Sequence, residues 1–308
     1  GSSKRLQHML AEIALSAEVL VAPAIAHVTI VENSTCKMLV TLSDELSVEC
    51  VLIQMGRHSS LCISSQVGCK QACVFCATGK LGEIRNLTTH EILAQVWMGQ
   101  RQARILGWPQ VRNLVFMGMG EPANNLVSVA EALEILTDVD SFRISRWHIT
   151  VSTVAPSPDQ VIKLADLPCK LAWSMHAATD SLRRRLVPST RHLIAALRDA
   201  FFICLKQRPK RFRQLICEIV LVDGVNTHPE HASAVAELLE PFEPEQILVN
   251  LIPYNDIHGI VPQDVKLGVV TSELRMPSLS RVRCFQRALW SHGVYCSVRQ
   301  TKGESKAS

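Results

Sequence analysis

The sequence predicts an α/β fold, a partial, open (β/α)6 barrel with a small N-terminal extension of helix and β-meander. From Leu61 onward, short apolar runs alternate with amphipathic helical patterns, and this alternation indicates parallel strands that helices cover. The chain has 308 residues, of which 47% are hydrophobic, so it can bury one large core. Six such units favour a partial barrel over a flat, doubly wound sheet, a choice that rests partly on a family resemblance described below.

The N-terminal extension has two parts with different patterns. Residues 4–24 carry apolar side chains at helical spacing until Pro23, which predicts one or two short helices. Residues 25–54 hold three β-rich runs separated by short polar turns, and these predict a small antiparallel meander. The chain thus divides into an extension, a core barrel and a short tail: residues 1–54, 55–303 and 304–308.

The core barrel contains six predicted strands and the helices between them. The strands are Leu61–Ser64, Asn113–Met117, His148–Ser152, Lys170–Met175, Cys217–Val222 and Ile247–Ile252. Thr88 and Glu91 form a capping-box pattern that starts a helix ending near Gln102. Further helices are predicted over residues 127–137, 192–205 and 230–239. Chemistry in such barrels lies at the carboxyl ends of the strands, so the segments that follow each strand are candidates for the site.

A C-x3-C-x2-C motif follows the first barrel strand and comprises Cys69, Cys73 and Cys76. Three thiolates can hold an iron–sulfur cluster and leave one iron open to a ligand. The unequal spacing suits a loop around the corner of a cubane better than zinc knuckles, which usually repeat C-x2-C pairs. A zinc site or three unrelated buried thiols are the alternatives. With Phe75 just before the third cysteine, the spacing resembles the signature of radical S-adenosylmethionine (SAM) enzymes.

Small and hydrogen-bonding residues accumulate after the other strands. The glycines of Gly118–Pro122 allow close approach of a ligand to the backbone, and Glu121 can accept hydrogen bonds from an α-amino group. The alternative for Glu121 is a solvated loop carboxylate. His176 is either a ligand contact or a hydrogen-bonded structural histidine. Asn255 can contact an adenine edge or a ribose hydroxyl, or it forms a turn.

Composition bounds the function and the compartment. The net charge is only +4, so global charge does not indicate a nucleic-acid-binding protein, although a local basic patch can still bind RNA. The 11 cysteines are spread over the chain and indicate a reducing compartment. No apolar run is long enough to span a bilayer, and no secretory signal is evident. We expect a cytoplasmic location, or an organelle if a targeting segment has been removed.

Linked motifs along the chain resemble the RlmN/Cfr family of radical SAM RNA adenine methyltransferases, from about Glu49 to Gly303. These motifs are Leu61–Cys69, Arg85–Thr88, Gly118–Pro122, Ser174–Ala177, Gly224–Asn226 and Asn250–Asn255. The resemblance implies a radical SAM barrel, a [4Fe-4S] cluster, SAM, and rRNA or tRNA as substrate. It also implies an electron donor such as a flavodoxin or ferredoxin. The methylated atom would be C2 of adenine in preference to C8.

The resemblance further implies roles for individual residues. Cys69, Cys73 and Cys76 would ligate the cluster. Glu49 matches the carboxylate assigned as proton acceptor, and Cys62 matches the thiol that resolves a covalent protein–RNA intermediate. The residues that would hold SAM are Gly120, Glu121, Ser152, Ser174, Met175, His176 and Asn255.

The C-terminus departs from the family pattern. In the family, the methyl-carrying cysteine lies just beyond the segment that corresponds to Val298–Gly303, whereas residues 304–308 contain no cysteine. Cys296 precedes that segment and is a poor substitute. We expect either a truncated chain or a protein that does not transfer the methyl group to RNA through a cysteine thiol. The alternatives are a radical SAM enzyme of this fold that cleaves SAM but acts on another substrate, and a non-catalytic RNA-binding relative.

The resemblance implies a larger N-terminal accessory region that helps to bind RNA, and before Ile25 this sequence has only a short helical stretch. Local basic segments remain. They are Arg183–Arg185, Lys206–Arg213, and Arg299 with Lys302. The Lys206–Arg213 segment includes an aromatic residue, Phe212, and could track the phosphates of RNA. The alternative is a solvated loop.

Overall fold

A computed structural model describes residues 23–31, 34–255 and 274–299. The predicted helices before Pro23 and the tail over residues 304–308 lie outside these residues. The strands are β1 (Ala24–Val31), β2 (Thr35–Thr41), β3 (Ser47–Met55), β4 (His58–Cys62), β5 (Gln66–Cys69), β6 (Gly82–Asn86), β7 (Val111–Phe116), β8 (Ile149–Thr153), β9 (Lys170–Ser174), β10 (Leu215–Leu221), β11 (Ile247–Pro253) and β12 (Cys296–Val298). The six barrel strands lie close to their predicted bounds.

One sheet runs through the described part of the chain. It has ten strands in the order β1-β2-β3-β4-β7-β8-β9-β10-β11-β12, while β5 and β6 form a separate hairpin. Strands β1 to β4 pair antiparallel with their neighbours. Within this sheet, the pairings from β4 through β7, β8, β9, β10 and β11 to β12 are all parallel. The predicted partial barrel is therefore confirmed, and the short β12 extends it.

The antiparallel meander is confirmed as well, and it is continuous with the barrel sheet. The sequence boundary after residue 54 falls at the end of β3, and Met55 in that strand still pairs with His58 in β4. A hairpin therefore crosses the boundary. The division into residues 1–54 and 55–303 stays a prediction about segments of sequence, because the hydrogen-bonded sheet runs across it.

Helices cover the parallel strands. They are α1 (Thr89–Ile105), α2 (Leu126–Thr137), α3 (Pro158–Lys163), α4 (Asp180–Leu186), α5 (Ile194–Gln207), α6 (Pro229–Leu239) and α7 (Leu279–Ser291). The predicted capping box starts α1, where Glu91 N donates to Thr88 Oγ1 at 3.3 Å and Thr88 N donates to Glu91 Oε2 at 2.8 Å. The predicted helices did not include α3, α4 or α7. The first two have about two turns or fewer, which is too short for a helical period to stand out. Among these helices none has both the length and the apolar character to cross a bilayer.

The core lies between the sheet and the helices. Leu114, Val151, Leu171 and Leu251 on four parallel strands have no exposed surface. Each such side chain contributes about 1.5–3 kcal/mol relative to an exposed one. Because the helices pack along the strands, the carboxyl ends of the strands are left free to form a site.

Candidate active site

A cavity of about 220 Å³ lies at the carboxyl ends of the parallel strands. The cysteine loop after β4 and the segments that follow β7, β8 and β9 all contribute to its wall. Most of the predicted site residues meet there: Cys69, Cys73, Cys76, Gly120, Glu121, Ser152, Ser174 and His176. The other lining residues include Phe75, Gly118, Thr153, Glu218 and Arg299.

The three motif cysteines form one end of the cavity. Burial raises the pKa of the Cys69 thiol to about 12 and raises that of Cys73 well above its ordinary value. Such thiols are thiolates only beside a strong positive charge, which bound iron supplies. Within the described residues, no three His, Cys, Asp or Glu side chains converge tightly enough to hold a single metal ion. Three thiols at one end of a cavity that continues to Glu121 and His176 fit a cluster that is held by three thiolates and keeps one iron open to a ligand.

Glu121 is buried at the wall of the cavity, with 2% of its surface exposed. Its carboxylate accepts hydrogen bonds from Ala123 N at 3.0 Å and from Val154 N at 2.8 Å. Its own N–H donates to Gln66 Oε1 at 2.8 Å. Burial raises the pKa of this carboxyl, and the hydrogen bonds oppose that effect. The alternative of a solvated loop carboxylate is therefore wrong.

Two glycines bring the loop after β7 against the start of the cysteine loop. Gly120 has φ of +99°, in the left-handed region that favours glycine. A Cβ atom there would lie 2.6 Å from Gln66 N, and one at Gly118 would lie 2.9 Å from Ile63 O. Side chains at these positions would push the two loops apart, so the contact between them requires glycine.

His176 is a neutral imidazole in the cavity wall. Val220 N donates to its Nδ1 at 3.2 Å, so the ring proton is assigned to Nε2. Burial lowers the pKa of the ring to about 3. The residue has φ of +60°, and Asn226 Nδ2 holds its carbonyl at 3.0 Å. His176 is thus hydrogen-bonded on one side of the ring, as the structural alternative supposed, while it also lines the cavity.

Ser152 and Ser174 place two hydroxyls side by side in the cavity. The residues lie near the ends of the neighbouring strands β8 and β9, and their Oγ atoms are 3.0 Å apart. Either oxygen can donate in this bond. One hydroxyl hydrogen therefore remains for a ligand in the cavity.

Glu49 and Cys62 lie beside the cavity, outside its lining. Ser64 Oγ donates to Glu49 O at 2.7 Å and accepts from Met119 N at 2.8 Å, which ties β3 to the loop after β7. Glu49 is exposed and Cys62 is half-buried. Burial raises the pKa of the Cys62 thiol to about 11; the charge of Arg299 opposes this shift and that of Glu49 adds to it. The two predicted catalytic residues are therefore close enough to influence each other.

Two predicted SAM-binding residues do not line the cavity. Met175 is fully buried, and its N–H donates to Glu218 O at 3.0 Å. Asn255 is exposed at the end of a described segment. Their contacts with SAM stay predictions. Cys296, considered as a substitute methyl acceptor, is buried on β12 with its Sγ 3.8 Å from Gln286 O.

Sequence reasoning missed the role of Arg183, which it included only in a local basic segment available to RNA. The structure corrects this prediction, because only 1% of Arg183 is exposed. Its guanidinium donates to the carbonyl oxygens of Ser174, Met175 and Val154. It thereby ties the end of β9 to the segment after β8. Nothing in the sequence distinguishes it from its two arginine neighbours.

Glu218 on β10 was also missed. Its Oε1 accepts from Asn250 Nδ2 at 3.1 Å, and Asn250 Oδ1 accepts from Ser297 Oγ at 2.5 Å. Its Oε2 is buried and has no hydrogen-bond partner in the described part of the protein. A single carboxylate within the apolar run Cys217–Val222 was the available signal. Glu218 thus lines the cavity with a carboxylate whose second oxygen is buried and makes no hydrogen bond to a described residue.

The fold and the cavity define the class of protein. Residues 63–226 match the sequence model of the Radical SAM superfamily. The structure is similar to that of a radical SAM methyltransferase from Sphaerobacter thermophilus, with a TM-score of 0.83 and 32% identity, covering 96% of this chain and 82% of that one. A spore photoproduct lyase mutant shares the fold at a TM-score of 0.51 and 13% identity, covering 77% of this chain and 75% of that one. The chain is a radical SAM protein.

Curated relatives narrow the class to a family. A protein of Rhodopirellula baltica named "Probable dual-specificity RNA methyltransferase RlmN" is 37% identical, covering 89% of this chain and 69% of its own. The "Dual-specificity RNA methyltransferase RlmN" of Marinobacter nauticus is 35% identical, covering 98% and 77%. The chain belongs to the RlmN family of radical SAM methyltransferases. A [4Fe-4S] cluster and SAM are the cofactors of this family.

Proposed function

We propose that this chain methylates an adenine carbon of ribosomal RNA, transfer RNA or both, at C2 in preference to C8. The observation that carries the proposal is the gathering of the three motif cysteines, Glu121 and His176 around one cavity at the strand ends. The relatives named as dual-specificity RNA methyltransferases support the choice of substrate. A structured RNA would present its adenine unstacked at the mouth of the barrel.

Two groups of residues would hold the cofactors. Cys69, Cys73 and Cys76 would ligate the [4Fe-4S] cluster. SAM would be held by Gly120, Glu121, Ser152, Ser174, Met175, His176 and Asn255. When bound, the cluster and SAM supply the radical chemistry and the methyl group.

The polar residues of the cavity orient SAM in complementary ways. Glu121, fixed by two backbone N–H groups, presents a charged acceptor that suits an ammonium group. His176 stays neutral and presents Nε2–H as a donor, because Val220 N occupies Nδ1. The hydroxyl pair of Ser152 and Ser174 suits a ribose. Each of these groups is already in place before a ligand binds, which lowers the entropic cost of binding.

Glu49 and Cys62 would act on the RNA base. Glu49 would accept the proton that leaves the methylated adenine carbon. Cys62, as a thiolate, would attack the sulfur of the cysteine that links the protein to the RNA. A disulfide would form between the two thiols, the bond from that sulfur to the methylene carbon would break, and the methylene carbon would take up a proton to become the methyl group. The positive charge of Arg299 favours that thiolate.

The proposed function also requires an electron donor and a reducing compartment. A small electron carrier such as a flavodoxin or ferredoxin would reduce the cluster. Residues 55–303 would form the catalytic barrel, and residues 1–54 an extension of its sheet. The cysteine content and the cluster suit the reducing cytoplasm, or an organelle after removal of a targeting segment.

Anaerobic reconstitution of the full chain with iron, sulfide and reductant tests the proposal. Methyl-labelled SAM and a panel of rRNA and tRNA are added, and mass spectrometry follows 5′-deoxyadenosine, methyladenosine and methylated cysteine peptides. We expect methyladenosine from wild-type protein and none from C76S. C284S, which alters an exposed cysteine, serves as the matched control and should be active.

Two outcomes would contradict the proposal. Formation of 5′-deoxyadenosine without methyl transfer to RNA or cysteine would indicate a radical SAM enzyme with another substrate. Failure to cleave SAM by protein with an intact cluster would leave RNA binding without catalysis.

A further inference from the structure

A basic and aromatic surface lies at the end of the barrel opposite to the cavity, where β7 and β8 begin. The segment between α2 and β8, residues 138–148, borders two depressions of about 860 and 560 Å³. Both depressions are lined by Arg143, Ile144 and Ser145. We define the basal surface by six residues around them: Trp97, Arg112, Arg143, Arg146, Trp147 and Arg211.

Three arginines of the basal surface have no acidic partner among the residues that the structure describes. Arg112, Arg146 and Arg211 are exposed, and none of them forms an ion pair with another described residue. Asp140 is the one acidic residue among those lining the two depressions. Unpaired guanidinium groups along a concave surface create a positive potential that attracts anions. Their planar forks match phosphate oxygens.

Aromatic side chains alternate with these arginines. Trp147 is 39% exposed and stacks on Phe212, with ring centroids 4.7 Å apart and planes at 29°. Arg211 lies over the same Phe212 ring at 5.4 Å. Trp97 on α1 is 53% exposed. Exposed indole rings beside arginines form the stacking platforms on which unpaired nucleobases bind.

The basic segment Lys206–Arg213, which the sequence suggested could track phosphates, contains both buried and exposed basic side chains. Arg208 is buried and donates to Leu164 O at 2.8 Å and to Phe212 O at 2.9 Å. It therefore fixes the turn from within and cannot contact RNA. Lys210 and Arg211 are exposed, so the turn presents Arg211 to solvent beside the Trp147 platform. The prediction is thus wrong for Arg208.

We propose that the basal surface binds the ribose–phosphate backbone and an unpaired base of the RNA substrate, on the end of the barrel away from the catalytic cavity. The inference rests on the proposed function, because it assumes that RNA is the substrate. An acidic electron carrier is the competing partner for a basic surface. It must approach the cysteine loop, however, and a strand of six residues at about 3.3 Å each places the basal surface some 20 Å away. The stacked aromatic rings also favour RNA.

The test compares two matched pairs of variants of the full, reconstituted chain. R146A/R211A removes two basal arginines, and R283A/R287A removes two exposed arginines from α7. W97A removes an indole that is 53% exposed, and W290A removes one from α7 that is 51% exposed. Equilibrium binding of bulk tRNA and of deproteinised rRNA is measured over a range of salt concentrations. SAM cleavage in the absence of RNA reports whether the catalytic site is intact.

The logarithm of the association constant for RNA falls linearly with the logarithm of salt concentration. We expect R146A/R211A to make this slope shallower by about 1.4, as for two lost phosphate contacts with single-stranded RNA. W97A should weaken binding about fivefold or more, as for one lost base stack. Neither should change SAM cleavage, and both α7 variants should bind RNA as wild type does.

Unchanged RNA affinity and salt slope in both basal variants, with wild-type protein methylating RNA, would overturn this inference and leave the proposed function standing. Normal RNA binding with slower reduction by flavodoxin would instead assign the surface to an acidic carrier. Absence of RNA binding and methylation by wild-type protein would remove the proposed function itself.

Discussion

Asn250 Nδ2 donates a hydrogen bond of 3.1 Å to Glu218 Oε1 across the neighbouring strands β10 and β11. The bond orients the carboxylate so that Oε2 remains buried without a partner among the described residues, while Glu218 lines the cavity. A buried acceptor left unsatisfied is costly. If a hydrogen-bond donor of bound SAM reaches Oε2, it satisfies this acceptor and offsets that free-energy cost.

Replacing Glu218 with Gln should weaken SAM binding without weakening the fold. Gln keeps an oxygen for Asn250 but replaces the Oε2 acceptor with an amide donor, so a ligand donor that reaches this position loses its acceptor and the dissociation constant of SAM should rise about tenfold. Equilibrium binding of SAM to reconstituted protein measures this effect, and urea unfolding checks the fold. E240Q, at an exposed glutamate, is the control. Equal SAM affinity in E218Q and wild type would show that Oε2 meets no donor.

Arg183 should be a structural residue, unlike its neighbour Arg184. Replacing Arg183 with Met removes donors from the carbonyl oxygens of Ser174, Met175 and Val154, so we expect the free energy of unfolding to fall by about 2–4 kcal/mol. R184M changes an exposed arginine on the same helix and should change stability by less than about 0.5 kcal/mol. Urea denaturation of both variants makes the comparison. Similar midpoints would contradict the buried hydrogen-bonding role.

His176 should make stability depend on pH in acid. Burial lowers its folded-state pKa to about 3, whereas the unfolded chain titrates near 6.5. The unfolded state therefore binds more protons between these values, so the contribution of His176 to stability is complete above pH 6.5 and is lost as the pH falls. The loss relative to H176N should be about 1.4 kcal/mol per pH unit between pH 6 and pH 4.

Asn is the suitable replacement at position 176 because it tolerates the left-handed backbone and offers an oxygen to Val220 N. Urea unfolding of wild type and H176N at several pH values gives the difference in slope. H148N, at an exposed histidine, should keep the wild-type slope. Parallel pH profiles for wild type and H176N would show that the ring is protonated in the folded state.

Cys62 should react slowly with alkylating agents at neutral pH. Its thiol pKa is raised to about 11, so the reactive thiolate is scarce below that value. We expect alkylation by iodoacetamide at pH 8 to be at least about tenfold slower than at exposed Cys284, and the rate at Cys62 to rise up to about pH 11. Peptide mass spectrometry resolves the two sites.

The variant R299A extends this test, because Arg299 lowers the pKa of Cys62. Removing its charge should slow alkylation of Cys62 further and leave Cys284 unchanged. A faster reaction at Cys62 in R299A would show that the side chain acts by shielding the thiol instead of by its charge.

Much of the site was readable from the sequence because its signals are local. The spacing of Cys69, Cys73 and Cys76 identifies a cluster loop within eight residues of chain. Alternating apolar strands and helices locate the strand ends, and Gly120, Glu121, Ser152 and Ser174 follow from those ends. The capping box at Thr88 is likewise a pattern of near neighbours, and the structure contains it.

Other features depend on residues that are distant in the chain. Residues 183–185 are three consecutive arginines, yet only Arg183 is buried against the strand ends. Met175 belongs to a predicted SAM-binding motif but is buried outside the cavity lining. Burial of one side chain and exposure of the next are decided by packing against other elements, which local patterns do not encode.

The sequence by itself determined the cluster motif and the order of the main strands and helices, because spacing and periodicity express them directly. Its linked motifs also carried the resemblance to the family. Only the tertiary structure decided that Glu218 has a buried carboxylate oxygen without a described partner, that Arg208 is buried, and that Trp147 stacks on Phe212 beside Arg211. These relationships join separate elements, and their energies depend on the distance and solvent exposure that folding alone creates.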